Sequence, residues 1–157
     1  MSKIVYLECF ADEILIRYLG ITKKQIDHHK GRTRIVNSLK QSDTCLAVVD
    51  EDPQTPTPAY LKECKLIDTT HYIKHLQHTK NKQHIFVLQP RLEEWLIKAA
   101  KSSKVKLTDF GLPDTYEKLH LVLHNEKIKY EAFLRALDKA QSPALNHLRK
   151  LLKNYAR

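Results

Sequence analysis

No C-x-x-C pair, no long apolar run, no internal repeat and no low-complexity segment occurs in the chain. The cysteines Cys9, Cys45 and Cys64 are odd in number and lie in or beside apolar runs. They therefore read as reduced, mostly buried thiols of a cytoplasmic protein rather than as a disulfide framework. No stretch approaches the roughly 20 apolar residues that cross a bilayer, so no membrane span is expected. The opening MSKIVYLECF runs straight into a strand-like segment and lacks the cleavage pattern of a secretory signal. At 42% hydrophobic and 29% charged, the composition is that of a soluble globular domain. A chain of 157 residues can hold one core without a staple, since folding at this size buries about 68–70% of the unfolded surface.

A further absence is local. Between Lys40 and Lys62 there is no Lys or Arg, yet Asp43, Asp50, Glu51 and Asp52 fall there. The chain as a whole carries 27 basic against 18 acidic residues, a formal charge of +9. Such a balance suits a polyanionic partner, most often nucleic acid, although a solvated Lys-rich surface gives the same number. One acidic island in a basic protein suggests a metal site framed by phosphate-binding surface.

The pattern along the chain predicts an α/β fold. Ile4–Leu7 reads as a short buried strand, and Ala11–Leu19 has helical spacing that Gly20 is placed to stop. Ile26–His29 reads as a second strand, and the segment after Gly31 as a helix with Ile35, Val36 and Leu39 on one face. Cys45–Val49 is the clearest strand and ends in Asp50-Glu51-Asp52-Pro53, after which Pro53, Pro56 and Pro58 break regular structure. A short helix fits Ala59–Cys64, one or two strands fit Leu66–His78, and a turn at 79–82 leads into the strand Ile85–Leu88. Helices follow from Pro90 to Ala100, over Asp114–His124, over Tyr130–Ala140, and over Pro143–Tyr155 behind the Ser142-Pro143 cap. Strands alternating with helices imply a mostly parallel sheet flanked by helices. The expected organisation is an α/β domain over residues 1–104 and a helical C-terminal extension, 105–157, packed on the same domain.

In such sheets ligands bind outside the carboxyl ends of the strands. Glu8 ends the first strand and Asp50 ends the Cys45–Val49 strand. In an extended chain, residues two apart share a face, so Asp50 and Asp52 are expected to point the same way and Glu51 away. Three converging carboxylates repel one another, and a hard divalent cation such as Mg²⁺ removes that conflict. A solvated acidic turn is the alternative for the D-E-D-P loop taken by itself. Phosphate contacts fit Lys30, Arg32 and Arg34 around Gly31, at a helix start where free N–H groups favour anions. An exposed basic helix start is equally consistent. The spacing is not that of a Walker A loop.

The residues L-E-C-F-A-D-E after the first strand and V-V-D-E-D at the end of a later one resemble the Toprim domain, which has a Glu and a D-x-D at those places. Q-P-R-L-E-E-W-L resembles a P-x-F-E-x-W segment of Toprim domains in OLD-family nucleases and in stand-alone Toprim-like proteins of bacterial defence systems. The likeness covers roughly the first hundred residues. It implies a Toprim-like sheet and a Mg²⁺- or Mn²⁺-dependent endonuclease, a hydrolase acting on DNA or RNA in defence against phage. Asp50 and Asp52 would then bind the metal and Glu93 would complete the shell. Glu8 would be a ligand or a general acid/base, and Asp12 a ligand to a second ion. The resemblance also admits a non-catalytic nucleic-acid-binding or regulatory partner of a separate ATPase, whose motifs this chain lacks. The family usually has Gly after the first Glu. Cys9 stands there, so the loop carrying Glu8 is expected to be shaped differently.

Among nine histidines, His120 and His124 sit at i, i+4 on an expected helix, a zinc-compatible spacing, but without the H-E-x-x-H pattern. No ligand set closes around His71, His75 and His78. His28 and His29 precede the Gly31 turn and could approach the site. Trp95 reads as core. Arg149, Lys150, Lys153 and Arg157 form either a partner surface or a solvated helix face.

Overall fold

The structure is a computed structural model that describes residues 3–28, 32–39 and 45–156. In chain order the elements are β1 (Ile4–Leu7), α1 (Phe10–Tyr18), β2 (Ile26–His28), α2 (Arg32–Leu39) and β3 (Cys45–Asp50). After these come α3 (Ala59–Lys62), β4 (Cys64–Thr70), β5 (Ile73–His78), β6 (His84–Leu88) and α4 (Leu92–Ser103). The last three helices are α5 (Tyr116–Val122), α6 (Lys127–Lys139) and α7 (Pro143–Tyr155). The strands form one six-stranded sheet in the order β2-β1-β3-β6-β5-β4. The first four in that order run parallel, and β5 and β4 close the far edge as antiparallel strands. This is an α/β fold with a mostly parallel mixed sheet and helices on both faces. Among the described residues, no helix is long and apolar enough to cross a membrane.

The β3 sequence explains the two-sided packing. Successive side chains alternate between faces, and β3 is apolar at both phases. Leu46 and Val48 enter a core with α1, α4, α6 and α7. Cys45, Ala47 and Val49 enter a second core with Ile35 and Leu39 of α2 and Tyr60 and Leu61 of α3. Each fully buried Leu contributes about 1.5–3 kcal/mol, so a polar substitution at Leu46, which is 0% exposed, would strike the sheet at its centre. The first core also holds Phe133, Leu134, Leu145 and Leu148 beside Val5 and Leu7. Segment 105–157 therefore shares hydrophobic contacts with the sheet. Within it, Ser142 Oγ accepts from the Leu145 N–H at 3.3 Å and caps α7.

Segment 66–78 resolves into a hairpin. Thr70 pairs with Ile73, and the two residues between them, His71 and Tyr72, have φ of 51° and 60°. Both lie in the left-handed region that two-residue hairpin turns require and that Asn-Gly usually supplies. β4 forms the exposed edge, with its register interrupted between Leu66 and Asp68. α6 starts at Lys127, earlier than the apolar spacing from Tyr130 indicated. α3 stops at Lys62 because Cys64 already belongs to β4.

Candidate metal centre

Three neighbouring parallel strands, β1, β3 and β6, end at the same edge of the sheet. Glu8 follows β1, Asp50 is the last residue of β3, and the chain leaving β6 turns through Gln89-Pro90, a cis bond, into α4. Glu8 Oε1 accepts from the Asp50 N–H at 3.3 Å, which ties the ends of β1 and β3 together. Asp50 Oδ1 accepts from the Leu92 N–H at 3.0 Å. One of the unsatisfied donors at the start of α4 is thereby met, and an acidic side chain sits at the positive end of the helix. Glu93, the second residue of α4, is 6% exposed, and its Oε2 lies 3.0 Å from His120 Nδ1.

Asp12 reaches the same place from α1. Its Oδ2 accepts from the Cys9 N–H at 3.2 Å and from the Cys9 thiol at 3.3 Å, so it caps its own helix. Cys9 adopts φ −149° and ψ 171°, extended backbone open to any residue. The Glu8 loop is thus completed without the conformational freedom of glycine, and the thiol supplies a bond that glycine would lack. Burial first and then Asp12 push the Cys9 thiol up, which keeps it a protonated donor.

Electrostatics join these groups. Burial, then the charge of Glu8 and of Glu93, push the Asp12 carboxyl up to about 7. Asp50 is held well above the usual carboxylate range by burial, and then by Asp12, Glu8 and Glu93. Tyr130 of α6 is fully buried, and its hydroxyl has no hydrogen-bond partner. Burial, followed by Asp12, Cys9, Glu93 and Asp50, drives its phenol upward, so it remains a donor facing negative charge. An unsatisfied buried hydroxyl costs about 1–3 kcal/mol, a cost that an ordered water or ion-bound water would remove.

Outside this floor lies a cleft of about 660 Å³ lined by Glu8, Asp50, Asp52, Thr55, Pro56, Thr57, Pro58, Arg91, Tyr116 and His120. Asp52 belongs to it, but not through the extended geometry expected from the sequence. Its φ is 46°, because the Glu51 N–H bonds to the Leu88 carbonyl and the Asp52 N–H to the Pro90 carbonyl, each at 2.9 Å. Those bonds turn the chain off the strand, and Asp52 Oδ2 accepts from Thr55 Oγ1 at 3.1 Å. Glu51 points the other way, to Lys74 Nζ at 2.9 Å and Gln89 Nε2 at 2.8 Å.

The structure thus brings Glu8, Asp12, Asp50 and Glu93 together, with Asp52 on the adjoining loop. Among the described residues, no group of three or more His, Cys, Asp or Glu side chains is placed to hold a metal ion. Mg²⁺ does not require one, since it usually takes one or two carboxylates, several waters and substrate phosphates. The suggested phosphate contacts are not assembled here. Lys30 and His29 lie outside the described residues, as does the side chain of Arg32. Arg34 is exposed on α2 and does not line the cleft. His28 bonds Glu13 at 3.1 Å instead of the carboxylate group. His124 falls in a 3₁₀ turn after α5 while His120 turns to Glu93, so the two do not act as an i, i+4 pair. Sequence reasoning assigned no site role to Arg91, Tyr116 or Tyr130. Arg91 stood inside the Q-P-R-L-E-E-W-L match, and the other two carried no local signal. Trp95 is core, 1% exposed, with its indole N–H donating to the His71 carbonyl at 3.0 Å.

No protein-family model, curated protein or solved structure matches the chain.

Proposed function

We propose that this cleft is a Mg²⁺- or Mn²⁺-dependent site for phosphodiester chemistry on nucleic acid, of the Toprim-like nuclease kind that serves bacterial defence against phage. The observation that carries the reading is the meeting of Glu8, Asp12, Asp50 and Glu93 at the carboxyl edge of β1 and β3, where burial first, and mutual repulsion after it, raise Asp12 and Asp50. A divalent cation offsets that repulsion. The Tyr130 hydroxyl supports the same conclusion, because it is a buried donor without a partner whose phenol feels the charge of Asp12, Glu93 and Asp50.

In this reading Asp50 and Asp52 would hold the ion together with waters and a substrate phosphate, Glu93 would back the site from α4, Asp12 would serve a second ion, and Glu8 would be a ligand or a general acid/base. The bound metal supplies Lewis-acid polarisation of a phosphoryl oxygen and a more acidic water. The chain does the positioning. The Leu92 N–H fixes Asp50 and the Asp50 N–H fixes Glu8. Arg91, held by Glu94 Oε1 at 2.7 Å, places a guanidinium on the cleft wall for a phosphate.

The test compares wild type with Asp50→Asn on single-stranded and duplex DNA and RNA, in Mg²⁺, Mn²⁺ and chelator. Asn retains the oxygen that bonds Leu92 and removes the charge. Metal-dependent cleavage that falls by about 100-fold or more in the variant is expected; cleavage that persists unchanged would refute the assignment. A second reading is a non-catalytic nucleic-acid-binding or regulatory partner of an ATPase. The engagement of Asp12 with its own helix cap favours it. Salt-sensitive binding without cleavage would establish it.

A further inference from the structure

On one wall of the cleft the Tyr116 and His120 rings have no part in the carboxylate chemistry, and Arg91, which faces a phosphate in the reading above, packs against them. The Arg91 guanidinium lies over the Tyr116 ring, 3.6 Å from its centroid. The His120 ring stacks with Tyr116 at 5.4 Å between centroids and 10° between planes. All three line the cleft beside Glu8 and Asp50. Both ends of the stack are anchored. Arg91 bonds Glu94 at 2.7 Å through Nε and Nη2, and His120 Nδ1 is 3.0 Å from Glu93. Even so, the His120 side chain keeps 60% of its surface in solvent. α5 meets the core through Leu119, which is 0% exposed, while Tyr116 and His120, four residues apart on the helix and so side by side, are turned to the cleft. A planar stack already fixed in place has little ordering entropy left to lose when a flat ligand arrives.

We infer that Arg91, Tyr116 and His120 form a stacking platform for an unpaired base of single-stranded nucleic acid whose backbone passes the carboxylates. Aromatic and guanidinium faces stack with any base and need no sequence readout. A duplex presents no such face along its length, because each base is covered by its neighbours. The cleft volume of about 660 Å³ lies within the range of ligand pockets, about 300–1,000 Å³. The placement of the backbone rests on the phosphodiester reading above; the stack itself does not.

Fluorescence anisotropy on the full chain tests this with labelled single-stranded DNA, single-stranded RNA, duplex DNA, and an abasic strand of the same length. Each is measured in chelator and with Ca²⁺, used in place of Mg²⁺ to suppress turnover. Base-bearing single strands are expected to bind at least about 10-fold more tightly than the duplex or the abasic strand, with the tighter of DNA and RNA naming the ligand. His120→Gln keeps a donor for Glu93 but removes the ring, and should lose about 5- to 100-fold on base-bearing strands and nothing on the abasic one. His120→Trp should retain binding. Melting curves of both variants guard against misfolding. Equal losses on abasic and base-bearing strands, duplex binding as tight as single-strand binding, or no loss in His120→Gln would each overturn the platform. If affinity is the same in chelator and Ca²⁺ while the base-dependent loss remains, the metal reading fails and the platform stands.

Discussion

Replacing Asp12 by Asn should make the protein more stable at neutral pH, and by an amount that grows with pH. Asp12 is buried, with its carboxyl raised from 3.8 to about 7, first by burial and then by Glu8 and Glu93. The unfolded chain gives up this proton near 3.8, while the folded protein holds it to about 7. Between those values the folded state binds more protons than the unfolded, so stability falls as pH rises through this window. The full interval of about three pKa steps corresponds to about 4 kcal/mol. For a chain of this size that is a Tm difference of about 8–16 °C, at roughly 2–4 °C per kcal/mol. Asn can still accept from the Cys9 N–H and thiol, so the cap survives.

Thermal melts of both proteins in chelator, from about pH 4 to about pH 8, measure the effect. The two curves should approach each other at the acid end, where Asp12 is neutral in the folded state and only partly ionised in the unfolded chain. They should separate steadily up to neutrality and run parallel beyond it. Groups away from the cluster titrate alike in both proteins and cancel in the difference, whereas Asp50, which Asp12 helps to raise, is relieved in the variant and adds to its gain. A difference that stays constant across the range would show that Asp12 carries no raised pKa and that the repulsion argument is wrong. Added Mg²⁺ should lift the wild type at about pH 8 more than at about pH 5, and lift Asp12→Asn less.

Asp50→Ala should lose the bond to the Leu92 N–H and cost α4 about 0.5–2 kcal/mol, whereas Asp50→Asn should not; equal melts for the two would remove Asp50 as the cap. Tyr130→Phe deletes the unpartnered buried hydroxyl and should be neutral or stabilising in chelator, with a smaller gain in Tm on adding Mn²⁺ than wild type shows. A clear loss of stability in chelator would mean the hydroxyl has a partner. His84 is depressed to about 4 by burial and then by His75 and Lys3, so the folded state resists protonating it. Stability from this group is present above about 6.5 and lost as pH falls towards 4, and His84→Gln should flatten the acid limb of the melt profile.

Much of the fold could be read from local pattern, because the strands that build the sheet centre are apolar at both phases, and β1 and β3 run into acidic residues. Cys45–Val49 is such a run, and Gly20, at φ 104° just past α1, stops its helix where the spacing placed it. The hairpin at 66–78 was harder to read for a specific reason. Its turn uses His71 and Tyr72 at positive φ, residues that do not announce such a turn, and an irregular register between Leu66 and Asp68 breaks the alternation that marks a strand. The left-handed step at Asp52 was hidden in the same way. It is imposed by backbone bonds to Leu88 and Pro90, partners nearly forty positions along the chain.

The cleft itself shows what a linear reading misses. Glu8 and Asp50 announce themselves by position at strand ends. Tyr116, His120 and Tyr130 come from the helical segment after 104, where the one local signal, the spacing of His120 and His124, pointed to a histidine pair and not to this cleft. They reach the carboxylates because Leu119, Phe133 and Leu134 are drawn into the same core as Val5 and Leu7. Hydrophobic burial, which carries no chemical specificity, thus sets the composition of the cleft wall. Phe133→Ala should then cost about 3–5 kcal/mol and also disturb the site. In a variant still folded at low temperature, the contact between His120 and Glu93 should loosen, read as a change in the His120 imidazole resonance. Loss of stability with that resonance unmoved would mean that α5 is held in place independently of α6.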